Sequence, residues 1–272
     1  MRDMLSSYTG AAAAVVRRDF LLMTSYRFRF LTQLLSAFFG LTLFYYISRL
    51  VHVGEGISSE DDYYAYAVTG LMTLQMINST LSIPSMTLRQ ELVAGTFERF
   101  AISPFGAVAG IVSMMLFPLI YTLVIVTAML VFAGLVFGLA LHWPTVPLSI
   151  PLGGLAALSF APFGILVVAG VMLAKQATVG ANWIVAGISL IGGLYFPVTL
   201  LPGWIQWMSD VQPFTPAVDS MRYVLLGMGT SESALEDVGK LLLFVVALLP
   251  VSLLALHRAV RISTRRGTII EY

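Results

Sequence analysis

The sequence predicts an all-α integral membrane protein with six transmembrane helices. Three observations carry this reading. Hydrophobic residues make up 58% of the 272 residues and charged residues only 11%, where soluble domains carry about 25%. The apolar residues fall in long runs, the pattern a lipid environment demands. The basic residues divide unequally between the two sets of connections that such runs would leave.

The elements follow in order. The apolar stretch at 11–16 is cut short by Arg17-Arg18-Asp19, and no cleavage-like site follows it. It is too short to span and does not read as a signal peptide. Residues 8–26 are expected to form an amphipathic helix on the membrane surface. A hydrocarbon core of about 30 Å takes about 20 helical residues. Six segments qualify: 28–50, 63–86, a stretch within 105–141, then 150–174, 179–196 and 238–256. Pro118, Pro162 and Pro250 fall inside spans, where membrane helices tolerate them. Pro84 is expected to end the second span. Two connections are more than turns. The inner one, 87–104, is polar and charged. The outer one, 197–237, is rich in aromatics and proline, and short interfacial or re-entrant helices are expected there. Its Trp204, Trp207, Met208 and Val211 are spaced as one apolar helical face.

Orientation comes from the basic residues. One side holds Arg2, Arg17, Arg18, Arg27, Arg29, Arg89, Arg99, Lys175, Arg258, Arg261, Arg265 and Arg266; the other holds only Arg49, Arg222 and Lys240. With an even number of spans, this bias places both termini in the cytoplasm. The chain then divides into a cytoplasmic or interfacial start at 1–27, a bundle over 28–258 and a cytoplasmic tail at 259–272, within one transmembrane domain.

What is missing narrows the function. Cysteine is absent, which excludes disulfides, thiol nucleophiles and cysteine metal sites. No charged residue sits mid-span, where ion-driven carriers usually keep one. His52, His142 and His257 lie near span ends and far apart. Gly239-Lys240-Leu241 lacks the upstream glycine and the Ser/Thr of a phosphate loop. No catalytic, metal or nucleotide site is expected in this chain. The second span carries Thr73, Gln75 and Asn78 among other polar residues. They are candidates for a substrate path, and equally for helix packing.

Two stretches resemble a known family. The inner loop contains Glu91-Leu-Val-Ala-Gly95-Thr96-Phe97-Glu98-Arg99, followed by Pro104. It is similar to the cytoplasmic segment of the ABC-2 type membrane subunits of ATP-binding-cassette exporters. The outer stretch with Pro197, Leu201, Pro202, Trp204, Pro213, Pro216 and Arg222 resembles, more loosely, that family's segment before its last helix. The resemblance implies a permease without an ATPase site of its own. ATP and magnesium would be bound by a partner ATPase subunit, in two copies, and a second permease subunit would complete a homodimer or heterodimer. It also implies that Glu91, Gly95, Thr96, Phe97, Glu98 and Arg99 belong to a coupling helix that docks on the ATPase. Glu91 and Glu98 are seven apart and are expected on one helical face. The cargo class is amphipathic or hydrophobic: a drug, an antibiotic, a lipid or a lipid-linked glycan. The expected setting is a bacterial or archaeal plasma membrane, with the lipid bilayer as partner and no nucleic acid. A non-transport membrane assembly or regulatory component is the alternative.

Overall fold

The computed structural model describes residues 2–50, 59–174 and 177–265. These residues fold into helices, with no strand among them. Helix α1 (Arg2–Ser25) is followed after one residue by α2 (Arg27–Ser48). Then come α3 (Glu60–Val93), the short α4 (Glu98–Ile102), α5 (Ala107–Phe137), α6 (Ser149–Ala174) and α7 (Ala177–Ile191). Two shorter helices, α8 (Gly203–Asp210) and α9 (Phe214–Leu226), precede the last, α10 (Ser231–Arg265). Lys175, His52, Glu55 and the tail beyond Arg265 lie outside the described residues.

Four helical stretches are long and apolar enough to cross a membrane: 30–48 of α2, all of α5, 146–174 including α6, and α10. The other two expected spans differ in kind. Helix α3 has ample length at 34 residues but is more polar. Five of its hydroxyls are spent inside the helix. Thr69, Thr73, Ser79, Thr80 and Ser85 donate to carbonyls three or four residues back, which satisfies them away from water. Helix α7 has 15 residues and is therefore about 22 Å long. It stops at Ile191 rather than near Phe196, because Gly193 takes φ +76° and turns the chain.

Pro84 does not end the helix that holds the second expected span. Helix α3 runs through it to Val93. Proline removes the amide that would bond the carbonyl of Thr80. At that same level α6 comes so close that a Cβ on Gly164 would lie 2.1 Å from the Thr80 carbonyl oxygen. The gap in the α3 ladder and the close helix contact coincide.

The bundle is built around α3 and α6, which pack on each other; α10 lies along α6 and α5 along α3. Two buried clusters fill it. The larger joins Val68, Met72, Met76 and Ile77 of α3 with Ile125 of α5, Phe160 of α6 and Phe214 and Met221 of α9. The second joins Leu88 and Leu92 of α3, Ile111 of α5, Val168 of α6, Leu256 of α10 and Phe97. Helix α10 continues unbroken to Arg265.

Candidate functional site: the α3–α5 corner

The segment between α3 and α5 is shaped by local backbone chemistry. Helix α3 ends where Gly95 adopts φ +68°, a region glycine enters without Cβ strain. Two amides, of Thr96 and Phe97, then donate to the single carbonyl of Glu91 at 3.0 and 3.3 Å. The Thr96 hydroxyl also donates to the Glu91 carboxylate. The chain is thus folded back tightly before α4. Ser103 leaves α4 in extended backbone (ψ 152°), as the residue before Pro104 must.

This turn sorts its side chains into three directions. Phe97 is 1% exposed and drives into the cluster shared by α3, α5, α6 and α10. Glu91 points to α1, where Arg18 donates to it at 2.9 Å and bonds Asp19 at 2.8 Å. Glu98 and Arg99 face outward, flanked by the exposed apolar side chains of Val93 and Ile102. The expectation that Glu91 and Glu98 share a face is therefore corrected. They sit on different helices separated by the Gly95 turn, and one faces α1 while the other faces out. The Arg18 guanidinium also lies 5.8 Å from the centre of the Phe100 ring. Asp19 is half-buried in this group. Burial pushes its carboxyl above the usual value, while the hydrogen bond and charge of Arg18 pull it down and the charge of Glu91 pushes it up.

A corner that is anchored by one buried aromatic, tied to the first helix by an ion pair and left with a mixed apolar and charged ridge is suited to receiving a protein. A scan against family models matches residues 11–226 to the ABC-2 type transporter family. The chain belongs to the ABC-2 type transporter family. It is an integral membrane permease domain of an ATP-binding-cassette transporter, and it works with an ATPase partner. No curated protein matches the chain.

The remaining sequence-predicted residues of this permease are not brought together into one site. Thr73 is fully buried, and its hydroxyl bonds the Thr69 carbonyl within α3. Gln75 is half-buried and lines a depression against α2, with Gln33 and Ser36. Asn78 is half-buried elsewhere on the helix. Trp204 and Trp207 are 74% and 59% exposed on α8, so the predicted apolar face exists. Arg222 does not share that surface. It is buried in α9, bonding Asp219 at 2.9 Å and the Gly193 carbonyl at 2.8 Å, with its guanidinium 3.3 Å from the centre of the Tyr66 ring. Tyr66 donates to the same Gly193 carbonyl at 2.8 Å. Arg222 is thus a clamp holding α9, α3 and the turn after α7.

Sequence reasoning missed Arg18 and Asp19 as members of the corner. The available signal was a charged pair interrupting an apolar helical run, read there only as the end of that run.

Proposed function

We propose that this permease is the membrane-spanning subunit of an ATP-driven exporter that moves amphipathic or hydrophobic cargo out of the cytoplasm. In this reading α2, α3, α5, α6, α7 and α10 are six crossings of a bacterial or archaeal plasma membrane. Both termini and the α3–α5 corner face the cytoplasm, as the basic-residue bias supports. Helix α1 lies along the inner surface and α8 along the outer one. Two permease subunits enclose one pathway, and two ATPase subunits hold the ATP and magnesium.

The observation that carries the reading is the division of labour at the corner. The ridge of Val93, Glu98, Arg99 and Ile102 is exposed while the neighbouring Phe97 is locked in the core. An ATPase seated on that ridge pushes on α4. Phe97 passes the displacement to α3, α5, α6 and α10, and the Glu91–Arg18 pair passes it to α1. Close packing makes such transmission direct, because interiors resist compression. The scarcity of charge within the spans favours amphipathic or apolar cargo, since a bare ion would meet nothing to replace its hydration.

The test uses Glu98→Lys and Arg99→Glu in the assembled transporter. Both side chains are exposed, so the variants reach the membrane at normal levels. Reversed charges against a complementary surface weaken docking about tenfold or more, read as loss of copurifying ATPase and of cargo-stimulated ATP hydrolysis. Normal copurification and normal stimulation in both variants would refute the docking role. Failure of the unaltered chain to associate with any ATPase would favour the non-transport alternative.

A further inference from the structure

A cavity of about 330 Å³ opens between α1, α2, α3 and α5 beside the corner. Its two ends differ chemically. At one end Arg18 meets two carboxylates, Asp19 at 2.8 Å and Glu91 at 2.9 Å, whose side chains are 12% and 16% exposed. One guanidinium against two carboxylates leaves one net negative charge, and among the described residues no other Asp, Glu, Lys, Arg or His lines the space. At the other end stand Phe30, Phe117 and Tyr121. The Tyr121 ring lies edge-on to Phe30 at 5.8 Å and stacks on Phe117 at 6.0 Å. The Tyr121 hydroxyl donates to Gln33 at 3.1 Å. Gln33 also lines the neighbouring depression with Ser36 and Gln75, so polar groups continue from the charged end toward the middle of the bundle.

We propose that this cavity binds a monocationic amphiphile, an organic ammonium with an apolar body. The ammonium sits by Asp19 and Glu91, and the body lies against Phe30 and Phe117. Three features converge on this chemistry. The half-buried carboxylate excess is offset by one positive charge, which matters more where water is partly excluded. The Phe30 and Phe117 rings at the other end accept the hydrocarbon body. Among the described residues an anionic amphiphile meets no free cation, because Arg18, the one that lines the cavity, is already held by both carboxylates. Opening at the cytoplasmic leaflet follows from the topology proposed above; the binding itself does not depend on it.

The probe is trimethylammonium-diphenylhexatriene, with diphenylhexatriene propionate as its anionic counterpart. Binding is measured on the full chain, immobilised in maltoside micelles, after subtraction of empty micelles. Saturable binding of the cation is expected at one site per chain, with the anion at least about tenfold weaker. Asp19→Asn is expected to weaken cation binding about tenfold, and Phe117→Ala a few-fold. Asp210→Asn, outside the cavity, leaves it unchanged. Met23→Trp fills the cavity without touching a charge and abolishes saturable binding. Displacement by the monocationic lipid sphingosine assigns the site to a lipid amine, and displacement by benzyltrimethylammonium alone assigns it to a free organic cation. Equal binding of the anion would overturn the proposal. So would unchanged cation binding in both Asp19→Asn and Met23→Trp. No ATPase is present in this assay, so its failure leaves the exporter reading standing, and failure of ATPase docking leaves the cavity standing.

Discussion

Arg222 shows what one side chain contributes when it is the only buried arginine among the described residues. A guanidinium removed from water must find its hydrogen bonds in the protein. Here it finds Asp219 one turn earlier, Gly193 29 residues away and the Tyr66 carbonyl 156 residues away at 3.4 Å. Replacing it with methionine keeps the length and removes every donor, leaving the Tyr66 ring and Gly193 carbonyl without their cation. Arg222→Met is expected to lower stability by about 2 kcal/mol or more, read as a lower midpoint of thermal unfolding in detergent. Asp219 is half-exposed, so Asp219→Asn costs less. An unchanged midpoint for Arg222→Met would show that the clamp carries no weight. The sequence showed that an arginine stood among outer aromatics, and so invited an interfacial reading. Its burial was not legible, because the groups that satisfy it come from α3 and the α7 turn, and local spacing holds no record of either.

At the scale of elements, hydrophobic run length located every long helix but misjudged their ends. Lipid fixes how many apolar residues a span needs, while capping and packing fix where the helix stops. Helix α3 passes Pro84 because neighbouring backbone, not continued hydrogen bonding, accommodates the break. Gly164 is the partner that makes this possible, and the pair yields a prediction. Gly164→Ala places a methyl group where the Thr80 carbonyl oxygen stands, 2.1 Å away, and forces α3 and α6 apart. The expected cost is about 1–3 kcal/mol, seen as a lowered unfolding midpoint. Gly154→Ala, two to three turns earlier on the same helix with nothing within 4 Å, is neutral or slightly stabilising. Equal behaviour of the two variants would contradict the close-approach account. The candidate coupling segment was only half legible for a related reason. Its residue types showed a charged inner connection. The Gly95 turn and the Thr96–Glu91 hydrogen bond, which split it into an inward acid and an outward one, depend on backbone geometry.

For the whole molecule, the α3–α5 corner is the place proposed for a separate ATPase to meet the membrane bundle. Family membership supplies the ATPase partner, and the exposed ridge beside buried Phe97 is the surface proposed for it. The opposite end, with Trp204 and Trp207 exposed on α8, should never meet that subunit if both termini are cytoplasmic. A photo-crosslinking residue can be placed singly at Glu98, Arg99 or Trp204 of the assembled transporter in its native membrane. Irradiation is expected to join positions 98 and 99, but not 204, to the ATPase, identified by mass of the adduct. Adducts of the ATPase to position 204, or none to 98 and 99 while the complex remains intact, would contradict both the docking site and the orientation.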